Sequence, residues 1–509
     1  MMKSYPNILL ALCVLTFLFQ ACSGRSVETI TVDRPATTPA PPDRLDDVEG
    51  ASSGNIIRIG EINKISSFDP LFALNAASQR TIQMIYEGLV VLNAQEQIIP
   101  AGARQWQVSD DSLQYTFRLN RNVYFHDDQS FGSGIGRRVR ASDYKQAFER
   151  MTSRDVPPNA ARLFMDRIRG FEAYFYEQRD VYDPEERTLD EINGVRAVND
   201  STLTFTLIEP DADFLHKLAS PFAVVYPGEA LRYRSRGIKD EPVGSGPFAF
   251  GASFGDTLHV LQKNLDYYRT ANGDTLPLAD RVEILNISDE TEIFRQIVLG
   301  RLNAVMDMGP EMIRTLIDSG NELQSSYRDQ FDLEVINHRE PFVVRYNPDN
   351  RFGIGSGHAA ALANWLSFDS LKSNSGNPSL ELAYRAEGQA NDTYLQDLRM
   401  IFPRNQNNRL LLAFSSDASA QLLSAGIIDL YDQEFNAALM DRRVFSRNVI
   451  LAMEKEVRYT PGAMPILPQE ILRFNKDRYF LTDKRIQGIR LNSYSWWLDL
   501  KHAVVTESL

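Results

Sequence analysis

The sequence predicts a mixed α/β protein, and three observations carry that prediction. Leu113, Tyr115, Phe117 and Leu119 alternate with polar neighbours, as do Leu203, Phe205 and Leu207; this is the period of a half-buried strand. Ile82, Ile85, Tyr86 and Leu89 instead recur at helical spacing. Residues 281–308 read strand, helix, strand, and such mixing along the chain argues against an all-α or all-β fold. No internal repeat of fixed period is present.

In chain order, "NIIRIGEI" from Asn55 is β-branched and reads as a strand. "AASQRTIQMIYEGLV" is an amphipathic helix, and "LQYTFRLNRNVYF" a strand. "ASDYKQAFERM" is a helix for which Ser142 or Asp143 supplies the N-cap. "STLTFTLIEP" is a strand stopped by Pro210, and "DTLHVLQK" another of the same kind. "RVEILNI" is a strand followed by a helix in which Asp289 and Glu292 form a capping box. Ile293, Ile297 and Val298 give that helix its buried face, and Gly300 ends it in a left-handed conformation. "NAVMDM" is the strand beyond.

The amino-terminal region has a different character. Lys3 precedes an apolar run from Ile8 to Phe19, the pattern of an export signal. The run falls short of the roughly 20 apolar residues that span a bilayer. Residues 23–54, "SGRSVETITVDRPATTPAPPDRLDDVEGASSG", carry few large apolar side chains and read as a tether. The two cysteines are Cys13, inside the apolar run, and Cys22. Beyond Cys22 no thiol remains for a disulfide or a nucleophile, so burial must hold the folded part together.

Composition excludes further classes. With 67 acidic against 54 basic residues the net charge is −13, unsuited to nucleic-acid binding. The basic cluster "GRRVR" at 136–140 reads as a solvated loop. No HExxH motif occurs, and the six histidines are scattered. His126-Asp127-Asp128 is either a metal ligand set or a strand-to-turn feature, and the latter is the simpler reading. Nothing requires catalysis, a cofactor or a metal.

Two resemblances add to this. Phe19-Gln20-Ala21-Cys22 resembles the lipobox of bacterial lipoproteins, with Phe19 in place of the usual leucine. It implies that Cys22 is acylated after removal of residues 1–21, leaving 22–54 as a lipidated, disordered tether. The folded part resembles the family-5 extracytoplasmic solute-binding proteins that serve oligopeptide, dipeptide and nickel ABC importers. The matching motifs are Asp69-Pro70, Tyr86-Glu87-Gly88-Leu89, Pro100, Trp106, Ser109-Asp110-Asp111 and Phe125-His126-Asp127. "PVGSGPFAF", with Ser245 for the family's threonine, "NLDYYR", "IFRQIVLGRLNAVMDM" and a closing segment within 455–500 follow in the family's order.

This resemblance implies a periplasmic-binding-protein type II-like α/β fold, two lobes around a ligand cleft, in three subdomains. The first is discontinuous (55–66, 190–265 and 475–509), the second is 67–189, and the third, 266–474, is shortened, since 348–455 fit the family poorly. "DQSFGSGIGRRVR" is an insertion, and its Gly132–Gly136 run reads as a surface loop rather than a phosphate cradle. The ligand-binding segments carried over are Lys64, Ile65, Ser66 and Ser67, and Arg345, Tyr346 and Asn347. Lys64 either pairs with a ligand carboxylate or faces solvent; Arg345 offers a bidentate partner. Trp365, Trp496 and Trp497 line a pocket or, more commonly, a core. The implied function is a monomeric, membrane-anchored binding protein facing the periplasm or cell surface. It would capture peptides or similar small solutes for an ABC permease and ATPase. The alternative is a transport-inactive binding or signalling lipoprotein of the same fold.

Overall fold

The computed structural model describes residues 54–318, 320–336, 357 and 477–506, together with the backbone of five strands at 342–346, 381–385, 412–414, 451–455 and 470–475. Cys22, Asn347 and Trp365 lie outside the described residues.

Strand β1 (Ile56–Glu61) leads into helix α1 (Ala76–Ile85) and the hairpin β2 (Val90–Leu92) and β3 (Ile98–Pro100). Strands β4 (Ala103–Val108) and β5 (Gln114–Leu119) precede helix α2 (Ala141–Arg150) and strands β6 (Val195–Asn199) and β7 (Thr202–Thr206). Next come β8 (Phe248–Phe254), β9 (Leu258–Lys263), the hairpin β10 (Thr270–Ala271) and β11 (Asp274–Thr275), then β12 (Arg281–Asn286), helix α3 (Glu290–Val298) and β13 (Ala304–Met306). The remaining strands are β14 (Phe331–Ile336), β15 (Phe342–Tyr346), β16 (Glu381–Arg385), β17 (Leu412–Phe414), β18 (Leu451–Lys455), β19 (Glu470–Asn475), β20 (Arg478–Asp483), β21 (Ile486–Gln487), β22 (Arg490–Leu491), β23 (Leu498–Asp499) and β24 (Val504–Val505).

Three sheets organise these elements. The largest has seven strands in the order β14-β20-β13-β1-β12-β9-β8. Its centre is parallel, β1 pairing with β12 on one side and β13 on the other. Helix α3 makes the crossover between those flanking strands and buries Ile293 and Ile297. The second sheet, β4-β5-β7-β6, is antiparallel and is covered by α2, whose Phe148 meets Phe205 edge-on at 5.0 Å. Tyr115, Phe117 and Leu119 point inward as the alternation predicts. The third, β16-β19-β15-β18-β17, is built from the carboxy-terminal half.

Two adjacent antiparallel strands join the first sheet to the third. Strand β14 pairs with β20 up to Ile336 opposite Arg478, and the same two stretches of chain pair again as β15 and β19, beginning with Phe342 opposite Phe474. The sheets also draw strands across the subdomain boundaries expected at 189/190 and 265/266. Hydrogen bonding ties β6 and β7 to β4 and β5, and ties β12, β13 and β14 to β1, β8, β9 and β20.

Local expectations are corrected at four points. Helix α1 stops at Ile85, so Tyr86 and Leu89 are not on it: Tyr86 is extended, Gly88 bridges Val224, and the Val225 amide donates to the Glu87 carbonyl. The N-cap position of α2 is Arg140, with Asp143 in the first turn accepting from the Arg140 amide. At α3, Asp289 accepts from the Thr291 and Glu292 amides, but Glu292 turns to Arg295 and Gln296, so only half of the capping box forms. Val298 is exposed rather than part of the buried face. Gly300 does end the helix at a φ of 69°.

Candidate ligand-binding site

In sheets with parallel strands, ligands bind outside the carboxyl ends of those strands. Here that edge carries Glu61 and the segment Ile62–Ser67 after β1, Asn286 at the end of β12, and Asp307 after β13.

The segment after β1 is held in one conformation. The Asn286 amide group donates to the Asn63 carbonyl at 2.9 Å and accepts from the Ile65 amide at 3.4 Å. The Asn75 side chain donates to the Lys64 carbonyl at 2.8 Å, and Ser78 Oγ accepts from the Ser66 amide at 2.9 Å. Ile65 and Ser67 face inward, the latter accepting from the Asp69 amide at 3.0 Å. Of the four residues expected here, only Lys64 and Ser66 therefore present side chains to solvent. Lys64 forms an ion pair with Asp256, and both side chains are about two-thirds exposed (66% and 68%). Such a pair is worth at most about 1 kcal/mol, so a ligand carboxylate can exchange for Asp256 at little cost. Arg345 and Tyr346 lie on β15, in the third sheet, with Arg345 opposite Ala452 of β18.

Beneath the edge lies a charge network that sequence reasoning missed. Arg80 of α1 is completely buried. Its Nε and Nη2 donate to the two Glu61 carboxylate oxygens at 2.8 and 2.6 Å, and Nη1 donates to Asp307 Oδ2 at 2.8 Å and the Ser495 carbonyl at 2.6 Å. Asp307 also faces Arg478 at 3.5 Å, where the chain re-enters the first sheet on β20. Burial alone would lower the pKa of Arg80, but Glu61 and Asp307 outweigh it and raise it. Asp307 adopts a φ of 51°, uncommon for a residue with a Cβ. The available signal was an arginine in an otherwise buried helix, for such a charge must be paired.

The other sequence candidates are structural. His126 is buried between the insertion and "VGSGPF": its Nε2 donates to the Gly246 carbonyl at 3.0 Å and its Nδ1 accepts from the Gly244 amide at 3.3 Å. Burial pushes its pKa down to about 4, against smaller opposing effects of the Gly246 bond and Asp127. Asp127 accepts from the Gly136 amide at 2.7 Å and Asp128 pairs with Arg234, so the three side chains are engaged separately. The "GRRVR" cluster is not simply solvated: Arg137 bridges Asp143 and Glu229 at 2.8 and 2.7 Å. Trp496 and Trp497 are buried, and the Trp497 indole donates to the Leu92 carbonyl at 3.1 Å.

A mixed seven-stranded sheet joined through two strands to a five-stranded sheet, with a pre-formed segment at its parallel edge, fits a bilobal fold of the type II periplasmic class. Comparison with known structures agrees. The murein tripeptide binding protein MppA of Escherichia coli superposes with a TM-score of 0.68 at 14% identity, over 90% of this chain and 99% of that one. The substrate-binding domain of an oligopeptide ABC transporter from Bacillus anthracis superposes with a TM-score of 0.62 at 16% identity, covering 90% and 99%. The family model for bacterial extracellular solute-binding proteins, family 5, matches residues 97–343. In sequence, the dipeptide-binding protein DppE of Bacillus subtilis is 27% identical over 272 residues, which is 53% of this chain and 46% of that protein. Di/tripeptide-binding protein 4 of Pseudomonas aeruginosa is 34% identical over 177 residues, 34% of this chain and 30% of that protein. These alignments thus span less than half the length of the curated relatives. The fold is thus that of the type II periplasmic binding proteins, and residues 97–343 are similar to the family-5 bacterial extracellular solute-binding proteins.

Proposed function

We propose that this protein is the substrate-binding component of an ABC importer. It captures peptides or similar small solutes between its two lobes and delivers them to a permease, without chemical turnover. The observation that carries the reading is the two-strand connection β14–β15 and β19–β20. Paired crossings of this kind act as a hinge, and lobe closure about a hinge is how such proteins trap ligand. Relatives named for di- and tripeptides support peptides as the ligand class. Lys64, the backbone of Ile65–Ser67, and Arg345, Tyr346 and Asn347 would form its two sides, with extended peptide backbone meeting exposed backbone edges. An acylated Cys22 would hold the protein, as a monomer, at the membrane; more than one acyl chain is needed for stable anchoring.

Native mass spectrometry of residues 23–509, followed by a thermal-shift screen with di- to hexapeptides, tests this. A retained peptide mass, or stabilisation by peptides recovered intact, is the expected result; at 100 times its dissociation constant a ligand adds about 2.7 kcal/mol. Absence of any bound solute and of any shift would refute it and favour the transport-inactive reading.

A further inference from the structure

A cavity of about 780 Å³ opens elsewhere on the first lobe, between the β2–β3 hairpin, residues 268–276 and the carboxy-terminal strands β22 and β23. It lies at the opposite end of the sheet from the site described above. The Leu278 amide donates to the Lys501 carbonyl on the approach to β12, and Asn55, just before β1, is bonded to Ala503 and Val505. Lys501 and His502 thus flank the amino ends of the parallel strands, whereas Lys64 follows the carboxyl end of β1. Six residues of strand separate the two ends, roughly 20 Å.

The cavity has two unlike walls. One is apolar: Val91, Leu92, Ile99 and Leu276. The other carries Arg490, Lys501 and His502. Local charge balance leaves one cation over. Lys501 is paired with Asp499 at 2.9 Å. Arg269 is occupied by the Tyr268 hydroxyl at 3.0 Å, the Pro100 carbonyl at 2.8 Å and Glu87 at 3.5 Å. Burial, and then Arg490, push the His502 pKa down, so its imidazole is neutral at pH 7. Arg490 is exposed and has no ion pair or side-chain hydrogen bond among the described residues. A guanidinium offers a carboxylate two parallel hydrogen bonds. The volume falls in the range of small-molecule sites.

The geometry points to a second binding site here, specific for a single carboxylate carried on an apolar body. The carboxylate sits on Arg490 with the neutral His502 beside it, and the body covers Val91, Leu92, Ile99 and Leu276. The site is independent of the peptide reading, because neither Lys64 nor β15 contributes to it.

Calorimetric titration of residues 23–509 with octanoate, octanol and octyltrimethylammonium tests the assignment. Octanoate is expected to bind saturably and at least tenfold more tightly than the other two. Arg490→Gln, an exposed change that leaves the fold intact, should cost tenfold or more in octanoate affinity, and Ala94→Trp should abolish binding by filling the cavity. Saturation with a bound dipeptide should leave octanoate binding unchanged. Equal affinity for octanol, indifference to Arg490→Gln, absence of saturable binding, or displacement by peptide would each overturn it.

Discussion

His126 makes the stability of this fold depend on pH in a direction fixed by its surroundings. The Gly246 carbonyl can only accept and the Gly244 amide only donate, so the ring is held as the neutral tautomer with the proton on Nε2. Protonation would set Nδ1–H against the Gly244 amide in a buried site. The folded pKa of about 4 lies below the unfolded value of about 6.5. Between these values the unfolded chain binds more protons, so stability rises with pH there and is lost as pH falls from 6.5 towards 4. A shift of about 2.5 units at 1.36 kcal/mol each sets the ceiling of the loss at roughly 3 kcal/mol. His126→Gln retains one donor and one acceptor but does not titrate. Urea unfolding of both proteins between pH 3.5 and 8 isolates the contribution as the difference of the two profiles. That difference should grow towards low pH and level off below pH 4. A constant difference across the range would refute the assignment of a buried, neutral His126.

Three further outcomes are expected. Arg80→Met leaves Glu61 and Asp307 without their buried cation and should destabilise by about 3–5 kcal/mol in urea unfolding; a loss below 1 kcal/mol would mean the network is not buried as described. Gly136→Ala should be strongly destabilising, because a Cβ there would meet the Phe125 carbonyl oxygen at 1.8 Å, whereas Gly132→Ala, with open space around it, should shift the melting temperature by no more than a degree or two. Lys64→Met and Arg345→Met should each weaken peptide binding about tenfold or more in calorimetry without changing the melting temperature of the unliganded protein, and unchanged affinity in both would remove these residues from the site.

Elements governed by short-range chemistry were legible in the sequence. The inward alternation of Tyr115, Phe117 and Leu119, the Asp289 cap and the left-handed Gly300 all depend on neighbours a few positions away. The carboxyl end of α1 was not, since distant strands pull Glu87 and Gly88 into backbone pairing and override a helical pattern. Nor was the Arg80 network, whose members Glu61, Arg80, Asp307 and Arg478 come from four separate stretches of chain. Of the candidate site, Lys64–Ser67 were named through resemblance alone. Periodicity could not have indicated that Ile65 and Ser67 turn inward, because hydrogen bonds to Asn286, Asn75 and Ser78 set that segment.

The paired crossing between the sheets also bears on how this chain tolerates change in length. Ile336 and Arg478 are direct neighbours across a ladder, so everything between them begins and ends at nearly one point in space. A stretch with coincident ends can gain or lose residues without altering the separation it must bridge. The entropic penalty of closing it grows only with the logarithm of its length, about 0.6 kcal/mol per doubling. The first sheet therefore sets no length for what is inserted there, and a departure from the family pattern at residues 348–455, as expected from the sequence, would leave the β14–β20 register unchanged. It also makes this junction the natural place to graft a foreign domain whose own termini lie close together.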